Sequence, residues 1–165
     1  MLDSSRELMY ITVYSTYQDI LLTTHITEKD LRLYAKLVNV IRLQSSATRA
    51  QVGCVIIDPS SRNIVSFGYN GMPADDSNIC EQHGMTKPEV IHAELNAIKK
   101  LAWTQTWYNH GYVAMVSHMP CFDCSQALLK AKITKIYYLQ PYGDGRGVEY
   151  LQQRDIFVKR LMITG

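Results

Sequence analysis

The chain has 165 residues, 47 % of them hydrophobic and 19 % charged, with a formal net charge of +2. That length and apolar content suit one domain with a substantial core and exclude wholesale disorder, and the charge falls short of a protein that grips a long nucleic-acid backbone. No apolar run approaches a membrane span, Met1 to Glu7 lacks the basic start and apolar stretch of a secretory leader, and four cysteines fit a reducing compartment better than a disulfide framework. A cytoplasmic protein with neither membrane nor nucleic-acid partners is expected.

Residues 1–26 read as an N-terminal arm of undecided type. Leu8 to Tyr14 is rich in β-branched and aromatic residues, while Leu21 and Leu22 extend a helix equally well. Edge strand, packing arm and oligomer interface all fit. Thr27 with Asp30 is a helix N-cap pattern, and Leu31, Tyr34, Leu37, Val38 and Ile41 recur at helical spacing to about Leu43. A polar loop, Ser45 to Gln51, carries Arg49. Strands follow at Val52 to Ile57 and Ile64 to Tyr69, joined by the turn Pro59 to Asn63 into an antiparallel hairpin.

Asn70-Gly71-Met72-Pro73 is a turn, and residues 74–90 have no clear period, so they read as an insertion loop over the site. His92 opens a helix to about Trp103, with Leu95, Ile98, Leu101 and Ala102 on its buried side. Tyr112 to Ser117 is a strand, Cys121 to Lys132 a helix and Ile133 to Leu139 a strand. That alternation implies parallel pairing through a crossover. Pro141 to Gly147 is a glycine-rich loop at a strand's C-terminal end, where ligands sit in open α/β sheets. Val148 to Arg154 is a short helix, and Ile156 to Val158 a last strand. The expected fold is a single α/β domain over 1–165, a mixed sheet of about five strands between helices.

The chemistry concentrates in His92-Ala93-Glu94 and Pro120-Cys121-Phe122-Asp123-Cys124. His92, Cys121 and Cys124 make three zinc-type ligands, and a hydrolytic zinc takes three and keeps a fourth position for water, whereas a structural one takes four. Cys121 and Cys124, three apart, project from one face if Pro120 opens a helix, whose N-terminal dipole favours thiolates. Glu94 is then a carboxylate that need not be a ligand. H-x-E followed by P-C-x-x-C is the signature of zinc nucleobase deaminases. A redox C-x-x-C leaves the His-x-Glu unexplained, and a zinc ribbon lacks its second C-x-x-C. Tyr69, Trp103, Trp107 and Phe122 are available to stack on a base, though each suits the core better.

With these residues in place, the chain resembles the zinc-dependent deoxycytidylate (dCMP) deaminases from about Ser45 to Val158. The resemblance rests on Val52-Gly53-Cys54-Val55-Ile56, Gly68-Tyr69-Asn70-Gly71-Met72-Pro73, Lys87 to Ile98 and Pro120 to Cys124. It implies a three-layer α/β/α cytidine deaminase-like fold, with zinc on His92, Cys121 and Cys124 and proton transfer by Glu94. It further implies Asn70 at the deoxyribose, and Arg49 with the Tyr142 loop, Arg146 included, at the phosphate. The implied reaction is hydrolysis of dCMP to dUMP and ammonia. Family members are commonly hexamers activated by dCTP and inhibited by dTTP with Mg2+, which puts Gly71 and Met72 near a regulatory nucleotide. The alternatives are deamination of dCTP or of a polynucleotide base, tRNA adenosine or single-stranded DNA cytosine, and a zinc-binding scaffold without activity. Cys80 and His83 raise a second zinc, which needs His110 or His118 to complete it.

Overall fold

The computed structural model describes residues 26–101 and 111–163. Residues 1–25, all of the expected N-terminal arm (1–26) but its last residue, lie outside the described residues, as do Ala102, Trp103, Trp107 and His110. The elements are α1 (Glu28–Arg42), β1 (Gly53–Ile57), β2 (Ile64–Tyr69), β3 (Glu81–Gln82), β4 (Met85–Thr86), α2 (Ala93–Lys100), β5 (Tyr112–His118), α3 (Phe122–Lys130), β6 (Ile133–Gln140), α4 (Arg146–Gln152) and β7 (Phe157–Arg160). No helix among the described residues is long and apolar enough to cross a membrane.

Five strands form one mixed sheet in the order β2-β1-β5-β6-β7. The expected hairpin is there, β1 antiparallel to β2, and β5, β6 and β7 run parallel through the crossovers α3 and α4. The central strands are buried on both faces, so they read as continuous apolar runs. One face sends Cys54, Ile56, Ala114, Val116 and Ile136 into a core closed by α2, α3 and α4. The other sends Val55, Ile57, Val113 and Met115 against Tyr34, Ala35 and Val38 of α1. These are the three layers. The Thr27–Asp30 pattern is a full capping box, with Asp30 N–H donating to the Thr27 hydroxyl and Thr27 N–H to the Asp30 carboxylate at 2.9 Å.

Four expectations need correction. The 74–90 segment contains a two-stranded ribbon, β3–β4. Each strand is two residues long, too short for alternation to register, and Glu81 ties the ribbon down by accepting the Thr48 and Arg49 amides at 3.0 and 3.2 Å. The fully buried face of α2 is Ala93, Glu94 and Ala97; Ile98 and Leu101 do pack against the core from its rim, but half-buried Leu95 is not among the residues packed there. Helix and strand backbones touch there across Gly68, so only small side chains fit between them. Helix α2 also ends earlier than expected, at Lys100, because Leu101 turns to extended backbone. Finally, α4 starts two residues before the expected Val148, because Gly145 takes a left-handed φ of 82° and Asp144 accepts the Arg146 amide at 3.2 Å.

Candidate active site

Two helix starts build the centre. His92 and Cys121 occupy the N-cap positions of α2 and α3 in nearly the same extended backbone (φ −69°, ψ 154° and φ −70°, ψ 172°), and neither makes a side-chain cap hydrogen bond. N-cap geometry turns the His92 ring off the helix, so His92 and Glu94 both face the cysteines despite their spacing. Upstream, His92 is anchored by reciprocal backbone hydrogen bonds between Gly71 and Ile91, at 3.1 and 2.8 Å. Downstream, Gly147 lets α4 close on α3, since a Cβ there would stand 2.6 Å from the Pro120 carbonyl and 2.5 Å from the Ser125 hydroxyl.

His92 Nδ1 lies 3.3 Å from Cys124 Sγ and 3.6 Å from Cys121 Sγ, and all three donor atoms fall within 4.8 Å of one another. Ligands at zinc bond lengths on a tetrahedron stand about 3.5–3.8 Å apart, so this donor set fits zinc. It is the one such cluster among the described residues. The Cys124 thiol and His92 donate to Cys121, which brings Cys121 down to about 4. His92 is raised by the same contact, and Cys124 is raised because it donates to Cys121. Glu94, 3 % exposed, is pushed up by burial against this cluster.

A cleft of about 240 Å³ opens over the cluster, and its lining includes His92, Glu94 and Cys121 together with Arg49, Asn70, Tyr142 and His118. The structure thus brings six of the expected site residues into one cleft or its floor, together with Cys124 beneath it. The Asn70 amide is partly committed, donating to the Ala50 carbonyl and accepting from Val52 N–H, both at 2.8 Å, so it shapes the Arg49 loop as well as facing the cleft. Arg146 does not face it, being paired with Asp144 at 2.6 Å. Gly71 and Met72 are also outside the lining: the Gly71 amide is taken by Ile91, and Met72 packs on Ala47, Cys80 and Val90.

Two readings that the sequence left open fall outside the cleft. Phe122 packs edge-on to Tyr150 at 5.1 Å, and Tyr69 lies beneath Lys100, so neither lines the cleft. Cys80 is buried with its sulfur 3.4 Å from the Ser46 hydroxyl, while His83 sits exposed at the ribbon turn, so no second metal cluster forms among the described residues. His118 is a polar lining residue that sequence reasoning missed as a cleft residue. It ends the parallel strand β5 on the same face as Ala114 and Val116, a position where ligands meet open α/β sheets.

The family model for the cytidine and deoxycytidylate deaminase zinc-binding region matches residues 27–140. A probable deoxycytidylate deaminase of Caenorhabditis elegans is 34 % identical over 113 residues, 65 % of this chain and 55 % of that protein. The human deoxycytidylate deaminase is 36 % identical over 104 residues, 58 % of this chain and 56 % of its own length. The chain thus spans about half the length of the curated relatives it matches. Among solved structures, the dCMP deaminase of cyanophage S-TIM5 in complex with dCMP and dUMP superposes with a TM-score of 0.76 at 31 % identity, covering 83 % of this chain and all of that one.

Proposed function

We infer the reaction from one premise: the chain belongs to the family of cytidine and deoxycytidylate deaminases defined by their zinc-binding region. Within it, this protein hydrolyses dCMP to dUMP and ammonia. The observation that carries this is a buried carboxyl, Glu94, set against a three-donor His/Cys/Cys cluster at the floor of a cleft. The likeness to the cyanophage enzyme, whose structure holds dCMP and dUMP, supports the choice of substrate.

His92, Cys121 and Cys124 would hold a zinc ion, which would supply Lewis acidity toward the attacking water. Glu94 carries the protons. It takes one proton from the attacking water and delivers it to N3 of the cytosine as the C4–O bond forms, then takes the proton of the new C4 hydroxyl and passes it to the amine, which leaves as ammonia as the C4–N bond breaks and the carbonyl forms. Burial suits it to this shuttle, because a carboxyl raised from its ordinary value accepts and returns a proton more evenly. Asn70 meets the deoxyribose, and Arg49 and Tyr142 the phosphate. Activation by dCTP, inhibition by dTTP with Mg2+ near Gly71 and Met72, and assembly into a hexamer belong to the same proposal and rest on the family resemblance.

Ammonia release and loss of cytosine absorbance with zinc-loaded protein test it, on dCMP, dCTP, deoxycytidine and a cytosine oligonucleotide, each with and without dTTP and Mg2+. Turnover of dCMP suppressed by dTTP is expected, and sedimentation reads the assembly. Turnover of the oligonucleotide alone overturns the substrate and leaves the zinc chemistry standing.

A further inference from the structure

The Ser117 hydroxyl holds the His118 ring in one tautomer. Ser117 is fully buried, and its Oγ accepts the Gly53 amide at 2.9 Å. Among the described residues its own hydrogen has one acceptor within reach, Nδ1 of His118 at 3.0 Å. Were Nδ1 protonated, that buried hydroxyl would be left without an acceptor, a costly arrangement. Nδ1 therefore accepts, and Nε2 carries the ring hydrogen. Burial and the nearby Arg42 both lower the ring's affinity for a second proton, so the neutral donor persists near pH 7. The ring stands in the cleft wall, edge-on to Tyr142 with centroids 5.9 Å apart.

The next step rests on the reading that a nucleotide binds with its base at Glu94, which leaves its phosphate to other residues of the cleft lining. Among the described residues Arg49 is the one arginine or lysine that lines the cleft. A phosphate presents three terminal oxygens, more than one guanidinium satisfies. We propose that His118 donates its Nε2 hydrogen to the 5′-phosphate and acts with Arg49 as a positioning residue that selects nucleotides over nucleosides. The Gly53 amide, the Ser117 hydroxyl and the imidazole form one chain that aims this donor.

His118→Ala tests it. Loss of a hydrogen bond to a charged group made equally in ground and transition states is expected to raise KM for dCMP about 10- to 100-fold while kcat stays within about twofold. The ratio of kcat/KM for dCMP over deoxycytidine falls by the same factor, and His118→Gln, which keeps a donor, recovers part of it. Two readouts are independent of turnover. Calorimetric affinity for dUMP weakens in parallel, and nitrogen NMR of the native protein at pH 7 finds hydrogen on Nε2 of His118. Equal losses on dCMP and deoxycytidine, a fall in kcat with KM unchanged, or hydrogen on Nδ1 overturns the proposal. A native protein that turns over no cytosine nucleotide overturns the reaction instead, and dUMP binding then still decides the role of His118.

Discussion

Gly68 of β2 lies directly against the backbone of α2, so that a Cβ there would stand 2.5 Å from the Ala97 nitrogen and press on the Ala93 carbonyl. Both contacts are backbone and cannot rotate away. Gly68→Ala therefore has to push α2 off the sheet, and with it His92 and Glu94. Overpacking of this kind costs about 1–3 kcal/mol. For a chain of this size the thermal midpoint is expected to fall by roughly 2–12 °C, with zinc affinity falling too. A midpoint and zinc content equal to the native protein's contradict this account of the packing.

Glu94→Gln keeps shape and removes the proton carrier. Bound zinc is expected to stay at the native level, because the ligands are untouched, while kcat drops by about 10²- to 10⁴-fold. Zinc content and turnover measured on one preparation check it. Near-native turnover removes Glu94 from the mechanism.

Chelation should uncover an unusually acidic thiol. With Cys121 held at about 4, it is thiolate at pH 6, where an ordinary cysteine near 8.5 is under about 1 % ionised. Iodoacetamide at pH 6 followed by peptide mass spectrometry is expected to mark Cys121 first in chelated protein and to spare it when zinc is loaded. Equal labelling of all four cysteines counts against the thiol pairing with Cys124 and His92.

Asp30 contributes to stability in a pH-dependent way. Its carboxylate accepts from Thr27, which lowers its pKa in the folded chain. A group whose folded value is depressed stabilises above its unfolded pKa, and the contribution is lost as pH falls through the folded value. The difference in thermal midpoint between native protein and Asp30→Asn is therefore expected to be constant from pH 5 to 7 and to shrink below about pH 4. A difference independent of pH down to 2.5 rules this out.

The sheet and the candidate metal ligands were legible for opposite reasons. Val52 to Ile57 and Tyr112 to Ser117 show as strands because burial on both faces leaves unbroken apolar runs. His92, Cys121 and Cys124 show because their types and spacing admit few other uses. What stayed hidden depends on contacts between distant segments. Neither the ribbon that Glu81 ties to the Arg49 loop nor the small-residue face that Gly68 imposes on α2 has a local pattern. The early start of α4 turned on one left-handed glycine. His118 was read only as a spare ligand, because nothing in its neighbours announces that Ser117 aims it.

His92 and Cys121 stand where a helix normally places a serine or aspartate that bonds its own first turn, a contribution of about 1 kcal/mol at each cap. Both helices give up that local closure, and one shared ion on His92, Cys121 and Cys124 would tie their two first turns to each other. A zinc bound there would then be a structural seam as well as part of the proposed chemistry. Hydrogen exchange in the first turns of α2 and α3 should quicken when the metal is stripped, while β1 and β5, buried on both faces, keep their protection.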